Sequence, residues 1–206
     1  MLPKLTEINL ALQSGKIKSD RRVKRDPDSL VRTMGEAIGR LKVTVVRGKL
    51  LVVRDFTSSD PYVVVKLGNQ MAKTKVINSC LNPVWNEELN FLVYNPIGTL
   101  KLEVFDKDRF KADDKMGNSH VDLQPLAMAA RMRKVVKGEP GMETKMRKVV
   151  PNKENCLVRD SCVRYVDGEV VQDVCLRLRD VESGELDLQL KWVDVTSLSN
   201  MPSESV

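Results

Sequence analysis

The sequence has few aromatic residues, a single histidine and no long apolar run. Phe, Trp and Tyr together make up 4% of the 206 residues, which leaves few side chains to stack on bases and argues against a nucleic-acid partner. Nowhere do about 18 apolar residues run together, so the sequence predicts no membrane-spanning helix. The N-terminal segment also lacks the apolar stretch of a secretory signal peptide. We therefore expect a cytoplasmic protein.

Signatures of catalysis are equally scarce. The sequence has no Gly-x-Ser-x-Gly elbow and no phosphate-binding glycine-rich loop, and His120 lies within a strand-like pattern. Two carboxylates could hydrolyse glycosides, but that mechanism needs one of them kept protonated by an apolar or like-charged pocket. The acidic residues of this sequence lie in loops of mixed charge. We therefore predict a protein that is not an enzyme.

The four cysteines are not spaced for metal binding. No Cys-x-x-Cys motif occurs, and the cysteines lie in apolar, strand-like stretches. This pattern is typical of reduced, buried thiols rather than of disulfides or a zinc site. The four are Cys80, Cys156, Cys162 and Cys175.

The positive charge is concentrated in two segments. The net charge is +6, yet residues 1–40 carry nine basic and five acidic side chains, and residues 126–153 carry eight basic and two acidic ones. A basic extension, predicted to be disordered over residues 1–38, and a basic internal segment therefore flank a mildly acidic body. This distribution suits an anionic membrane surface or an acidic protein partner.

The rest of the chain shows the short alternating patterns of β-strands. From Leu41 onward apolar residues recur at every second position, and Gly, Pro and Asn separate short strands at spacings typical of an antiparallel β-sandwich. Asp167-Gly168 is a two-residue hairpin signal between two such runs. We predict about eight strands in a domain over residues 39–195, followed by a flexible tail, 196–206. The predicted strands are 41–45, 61–67, 71–77, 87–93, 99–105, 118–123, 163–166, 169–181 and 185–193.

One long segment, residues 125–156, interrupts the strands. Its beginning, residues 126–132, has the pattern of a helix, and much of the remainder is basic. The sandwich does not need this insertion, and loops without a role in the core are where binding surfaces usually lie. We therefore predict that its first basic residues contact a partner protein or the membrane. These residues are Arg131, Arg133, Lys134 and Lys137.

Two acidic loops each follow an apolar strand. If the loops meet at one end of a sheet, five carboxylates converge and repel one another unless a cation lies between them. Calcium takes about six to eight oxygen ligands, usually from carboxylates, so we predict a site for about two Ca²⁺ ions. Aspartate is also common in turns for local reasons, which is the simpler explanation for either loop alone. The predicted ligands are Asp55, Asp60, Asp106, Asp108 and Asp114.

Three motifs, taken in order, resemble the C2 domain. They are Ser-Asp-Pro-Tyr at 59–62, Asn-Pro-Val-Trp-Asn-Glu at 82–87, and Phe-Asp-Lys-Asp at 105–108 followed by Asp114 and Gly117. Within that family the sequence resembles a plant group of small single-C2 proteins, the C2-domain abscisic-acid-related proteins. The resemblance covers residues 39–194 and rests on residues 53–55, 58–66, 113–117 and 166–179.

The resemblance implies how such a protein binds membranes. Calcium would bridge the acidic loops to anionic phospholipid, with Phe56 and Phe110 inserting shallowly near the loop tips. Lys66, Lys73 and Lys75 are similar to the lysine cluster that holds phosphoinositide head groups in this family, although a solvated strand face is the simpler interpretation. Of the two C2 topologies, we expect the one whose first strand leads directly into the first acidic loop.

The resemblance also implies partners. It points to abscisic-acid receptors of the START-like fold as the recruited proteins, and to the 125–156 insertion as a feature of the plant group. We expect a monomer that is cytoplasmic and peripheral at the plasma membrane, with the nucleus as a further location. The alternatives are a calcium-independent protein-interaction adaptor and a regulator of small GTPases that acts through the C2 surface itself.

Overall fold

The computed structural model describes residues 36–54, 58–133 and 143–194. Within these ranges the chain forms ten β-strands and one α-helix, and no helix there is long and apolar enough to cross a bilayer. In chain order the elements are β1 (Gly39–Lys49), β2 (Pro61–Leu67), β3 (Gln70–Lys73), β4 (Val84–Val93), β5 (Thr99–Asp106), β6 (Asp114–Asp122), α1 (Gln124–Met132), β7 (Thr144–Val149), β8 (Ser161–Val166), β9 (Glu169–Arg177) and β10 (Glu185–Val193).

The strands form two antiparallel sheets. One sheet has six strands in the order β4-β1-β10-β9-β8-β7, and the other has four in the order β3-β2-β5-β6. The apolar side chains of both sheets and of α1 form one core. This arrangement confirms the predicted all-β antiparallel sandwich. The described part of the chain has ten strands, more than the predicted number of about eight.

β1 is a central strand and leads into the first acidic loop, as expected. It pairs with β10 on one side and β4 on the other. Leu41, Val43 and Val45 are completely buried, and burying each such side chain contributes about 1.5–3 kcal/mol. The alternation predicted for the last strand is confirmed, because every second residue from 186 to 192 is apolar and buried. These residues are Leu186, Leu188, Leu190 and Trp192.

The β8–β9 hairpin has the turn that its sequence predicts. Val166 pairs with Glu169 across Asp167 and Gly168. Both turn residues have positive φ angles, +49° and +87°. Two successive residues in this conformation form a type I′ turn, whose twist matches that of the paired strands.

Several predicted strand boundaries differ from the observed ones. β1 is longer at both ends, β6 begins at Asp114 rather than at residue 118, and β9 ends at Arg177 rather than at residue 181. β3 and β4 differ as well. β3 ends at Lys73 rather than at residue 77, because Thr74 turns toward β2 and is buried there. The Thr74 N–H donates to the Val63 carbonyl, and the Val63 N–H donates to Thr74 Oγ1, both at 3.0 Å. β4 begins at Val84, before the predicted start at residue 87, and thereby includes the buried Trp85.

The insertion begins with α1, close to where a helix is predicted. The helix starts at Gln124, since Pro125 suits the first turn of a helix. The Gln124 N–H donates to Asp122 Oδ1 at 2.9 Å, which satisfies one backbone donor of the first turn. At the other end, the Arg133 guanidinium pairs with Asp194, just after β10. This ion pair ties the insertion to the body of the sandwich.

β7 is the strand that the sequence did not predict. Its sequence, Thr-Lys-Met-Arg-Lys-Val, is largely basic, and a bulge between Lys145 and Arg147 breaks the alternation of its side chains. It forms a strand because it pairs with β8, and not because its own sequence alternates. The insertion therefore extends the six-stranded sheet at one edge.

The cysteines are free thiols, as predicted. Cys156 and Cys175 are buried, whereas Cys80 and Cys162 are only half-buried. Burial raises the pKa of the Cys175 thiol to about 12, so this thiol stays protonated at neutral pH. His120 is half-buried in β6, with its Nδ1 at 3.3 Å from the Cys156 Sγ.

Gly117 in β6 has a φ of +115° and no room for a side chain. A Cβ at this position would lie 2.7 Å from Val181 Cγ1 and 3.2 Å from the Arg179 carbonyl oxygen. We expect Gly117→Ala to lower the free energy of unfolding by about 3 kcal/mol, from backbone strain together with overpacking. Urea unfolding at neutral pH measures this change.

Gly168→Ala is the matched control for this prediction. Gly168 also has a positive φ, but nothing lies within 4 Å of a Cβ built there. Only the backbone strain remains, so we expect a loss of about 1–2 kcal/mol. Equal losses for the two variants would contradict the packing argument at Gly117.

Candidate cation and lipid site

A hydrogen bond joins the two acidic loops at one rim of the sandwich. Asp60 precedes β2, and Asp106, at the end of β5, pairs with the neighbouring Pro61. The Asp60 N–H donates to Asp106 Oδ1 at 2.6 Å, and the Lys107 N–H donates to the Asp60 carbonyl oxygen at 3.0 Å. Asp106 is 1% exposed. The structure thus brings two of the predicted ligands together.

A lysine ammonium lies between two further predicted ligands. Lys111 Nζ is 2.7 Å from Asp114 Oδ2 and 3.5 Å from Asp108 Oδ2. The hydrogen bond to Asp114 raises the pKa of Lys111. The Asp108 side chain is 11% exposed, and its Oδ2 makes no hydrogen bond with any described residue. Asp108 is therefore a nearly buried carboxylate with the Lys111 ammonium beside it.

Asp113 holds the second acidic loop in place, a role that the sequence analysis missed. It accepts hydrogen bonds from the Tyr62 hydroxyl at 2.6 Å, from Lys107 Nζ at 2.9 Å and from the Asp108 N–H at 3.1 Å. These bonds, led by the one from Tyr62, lower the pKa of Asp113, and burial raises the pKa of Tyr62 to about 12. The sequence feature that could have indicated this role is the Asp113-Asp114 doublet. Asp113 binds groups of the loop and of β2, whereas Asp114 is more exposed.

The donor atoms of the rim fit a hard cation. The four described candidate ligands offer carboxylate oxygens, the donors that calcium prefers, and Asp108 Oδ2 is a nearly buried oxygen without a hydrogen bond. Asp55 and Phe56 lie outside the described residues. Within the described ranges, no three His, Cys, Asp or Glu side chains are grouped so as to hold a metal ion. The convergence of all five carboxylates therefore stays a prediction.

Lysines cover part of the outer face of the four-stranded sheet. Lys73 in β3 lies opposite Val64 of β2, and Lys66 lies two residues further along β2, so the two lysines share a face. Lys73 Nζ is 5.9 Å from the centre of the Tyr62 ring, within the range of a cation–π contact. Lys75 is exposed but lies beyond the end of β3. Our expectation that Lys73 and Lys75 share one strand is therefore wrong, because the chain turns at Thr74.

Two further lysines extend this face. Lys101 in β5 lies directly opposite Lys66, and Lys115 in β6 approaches the Glu103 carboxylate at 3.6 Å. Glu103 also pairs with Lys66, whose hydrogen bond lowers the pKa of Glu103. Neither lysine was predicted from the sequence, because only the pairing of β5 with β2 and β6 brings them onto the face that carries Lys66. We call the four the lysine face: Lys66, Lys73, Lys101 and Lys115.

The predicted partner-binding residues of the insertion have different surroundings. Arg131 is exposed on α1, whereas the Arg133 side chain is 22% exposed and is held by Asp194. Lys134 and Lys137 lie outside the described residues. The Arg133 guanidinium thus has a structural partner of its own. Of the predicted set, Arg131 is the described residue that is open to a second protein.

A groove between α1 and β7 lies next to Arg131. Its volume is about 570 Å³, and Met128, Met132 and Met146 line it together with Lys145 and Arg147. Met128 and Met132 are 45% and 62% exposed. Apolar side chains with basic neighbours can contact an acidic amphipathic surface. We call these residues the methionine groove.

Three comparisons with known proteins agree with this architecture. The C2 domain family model matches residues 39–137. Arabidopsis thaliana protein C2-DOMAIN ABA-RELATED 11 is 63% identical over 161 residues, which are 78% of this chain and 96% of that protein. GTPase activating protein 1 of Oryza sativa subsp. indica is 49% identical over 162 residues, 79% of this chain and 96% of that protein. A calcium-bound structure of two C2 domains of Extended-Synaptotagmin 2 matches with a TM-score of 0.52 and 26% identity, over 80% of this chain and 50% of that one.

The two-sheet sandwich and the matched family model define a C2 domain. The chain belongs to the C2-domain ABA-related family of C2 proteins. The resemblance seen in the sequence is thereby confirmed.

The hydrogen bond from Tyr62 to Asp113 makes a testable contribution to stability. We expect Tyr62→Phe to lower the free energy of unfolding by about 1.5–3 kcal/mol at neutral pH, the range for hydrogen bonds to charged groups. The pKa of Asp113 is lower in the folded than in the unfolded chain. This stabilisation is therefore present above the unfolded pKa, about 3.9, and is lost as the pH falls through the folded one.

Urea unfolding of parent and variant near neutral pH and well below pH 4 measures both effects. The difference between the two proteins should shrink at the acidic pH. Tyr94→Phe is the control, since Tyr94 is half-buried like Tyr62 but is not a partner of Asp113, and it should change stability little. A Tyr62→Phe loss that is the same at both pH values would show that Asp113 is not the group responsible.

Proposed function

We propose that this chain is a calcium-dependent phospholipid-binding C2 domain that recruits partner proteins to the plasma membrane. The observation that carries the proposal is the acidic rim, where the Asp60–Asp106 hydrogen bond joins the two acidic loops. On the second of these loops, Phe110 is 100% exposed. Carboxylates beside an exposed aromatic ring suit a cation-dependent contact with a bilayer.

Charge determines when this rim can approach a membrane. Without a bound cation the carboxylates face an anionic leaflet and are repelled by it. About two calcium ions would supply compensating charge and open coordination positions for lipid phosphates. Phe110 would then insert shallowly, and we expect the same of Phe56 in the first loop. The side chains that would hold the ions are Asp55, Asp60, Asp106, Asp108 and Asp114.

The lysine face would add attraction that does not depend on calcium. Each lysine near an anionic surface contributes about 1 kcal/mol. Lys66 and Lys73 share this face with Lys101 and Lys115, and the exposed Lys75 lies just beyond β3. We propose that this surface binds phosphoinositide head groups. Glu103 neutralises part of the charge, which limits the affinity of this second contact.

We further propose that the recruited partners are abscisic-acid receptors. The first support is the likeness to the relative named C2-DOMAIN ABA-RELATED 11. The second is the basic insertion, which the resemblance in sequence gives as a feature of the same plant group. Arg131 and the methionine groove offer a surface that the sandwich itself does not use. On this view the protein is peripheral at the cytoplasmic side of the plasma membrane and is not an enzyme.

A second candidate function is a calcium-independent adaptor or regulator of small GTPases. One relative bears the name GTPase activating protein 1, and Lys111 already compensates two rim carboxylates without any metal. In that case the C2 surface itself would bind the GTPase or another partner protein.

Calcium-dependent sedimentation with phosphatidylserine vesicles distinguishes the two functions. We expect Asp108→Asn combined with Asp114→Asn to abolish the calcium-dependent part of binding, because two predicted ligands lose their charge. Changing Asp60 and Asp106 to Ala is a less suitable test. Asp106 is buried and accepts the Asp60 N–H, so its loss would also weaken the fold.

Asp167→Asn combined with Glu169→Gln is the matched control. It removes the same formal charge at the β8–β9 turn, which the strand pairing places at the rim opposite the acidic loops. The control should sediment like the parent. Calcium-dependent sedimentation that survives Asp108→Asn/Asp114→Asn would favour the adaptor function.

The partner surface is tested by reversing charge beside the methionine groove. We expect Arg131→Glu combined with Lys145→Glu to weaken receptor binding by about tenfold at low salt, with a smaller effect at high salt. Arg133 is left intact because it holds Asp194. Titration of a labelled abscisic-acid receptor at two ionic strengths measures the change.

The control reverses two lysines of the other sheet that do not line this groove. Lys73 lies in β3 and Lys101 in β5, so Lys73→Glu with Lys101→Glu makes the same change of net charge elsewhere. If both double variants weaken receptor binding equally, only net charge matters and the proposed surface is wrong.

A further inference from the structure

The position of Lys111 suggests a role beyond that of a surface charge. Its ammonium contacts Asp108 Oδ2 and Asp114 Oδ2, two carboxylates on either side of the second acidic loop. Both carboxylates are predicted calcium ligands. The positive charge of Lys111 therefore lies where we propose that a cation binds.

The other lysine of this loop cannot take the same role from its observed position. Lys107 Nζ is 2.9 Å from Asp113 Oδ1, and Asp113 in turn holds Tyr62. In the described part of the chain, Lys111 is the cation that contacts both Asp108 and Asp114. Asp108 is only 11% exposed, so without Lys111 its charge would face that of Asp114 with little solvent screening.

We propose that Lys111 is a tethered counter-ion of the calcium site, which compensates Asp108 and Asp114 in the cation-free protein and is displaced when calcium binds. The inference rests on the calcium site of the proposed function. Calcium carries twice the charge of an ammonium and can bind both carboxylates directly. Displacement is feasible because the Lys111 side chain is 56% exposed and can move into solvent.

Two consequences follow from this exchange. Calcium must compete with an ammonium that is covalently attached to the loop, so the affinity for calcium is lower than the carboxylates alone would give. The displaced ammonium also remains next to Phe110, which is fully exposed. It can then bind lipid phosphate beside the site where the ring inserts.

Calcium titration by calorimetry, without lipid, tests the competition. We expect Lys111→Met to bind calcium about three- to tenfold more tightly than the parent, because the two ion pairs of the partly exposed Lys111 no longer oppose binding. Lys111→Arg keeps the positive charge and should stay close to the parent. Lys107→Met removes the same charge from the same loop, but its partner Asp113 is not a predicted ligand. It should therefore tighten binding less than about twofold.

Thermal unfolding in excess chelator provides a second readout that does not use bound calcium. Without its counter-ion, the Asp108–Asp114 pair should lower the melting temperature of Lys111→Met by about 2–4 °C. Saturating calcium should remove this difference, since the metal replaces the lost ammonium. A structural role of the Lys111 stem alone would lower the melting temperature equally with and without calcium.

The outcomes separate this inference from the proposed function. If the parent binds calcium and Lys111→Met binds it no more tightly than Lys107→Met, the counter-ion role is wrong while the calcium site stands. If Lys111→Met alone binds calcium, Lys111 compensates the two carboxylates but is not displaced from them, which overturns both the proposed exchange and the calcium dependence of the parent. If neither protein binds millimolar calcium, both the inference and the proposed calcium site are wrong.

Discussion

The acidic rim depends on one buried carboxylate. Asp106 lies at the end of β5 and accepts the backbone N–H of Asp60, so the second acidic loop is fixed to the start of β2. A buried carboxylate is costly unless it is hydrogen-bonded or paired. This requirement couples the geometry of the two loops: neither can move far without removing a hydrogen bond from Asp106. The rim is thus positioned by the β2–β5 pairing of the sheet rather than by the loops themselves.

Around this fixed point the loops are organised by lysine–aspartate contacts. Lys107 and Tyr62 bind Asp113, and Lys111 lies between Asp108 and Asp114. The first of these contacts joins the loop to β2, whereas the second joins Asp108 in the loop to Asp114 at the start of β6. Adjacent acidic residues therefore have different duties. One anchors the loop to the sheet, and the other remains available at the surface.

The sequence predicts those features that depend on local patterns. The buried alternation of β1 and β10 and the Asp167-Gly168 turn follow from apolar periodicity and turn chemistry. β7 does not, because its order comes from pairing with β8 rather than from its own basic sequence. The anchoring role of Asp113 and the place of Lys101 in the lysine face also depend on contacts between distant strands. Which group a carboxylate contacts depends on the folded structure. The sequence alone could therefore identify the acidic loops but could not tell which carboxylates anchor a loop and which remain at the surface.

The length of β1 sets the distance between the acidic rim and the opposite end of the domain. The strand has 11 residues, and at about 3.3 Å per residue its ends are about 35 Å apart. Its last residue, Lys49, precedes the first acidic loop, while Arg40 near its start pairs with Val193 at the end of β10. If the acidic rim faces the bilayer, Arg40 and Val193 lie on the far side, close to one another. Fluorophores at these two positions would then report the height of the domain above the lipid surface, and a change in that height would reveal tilting.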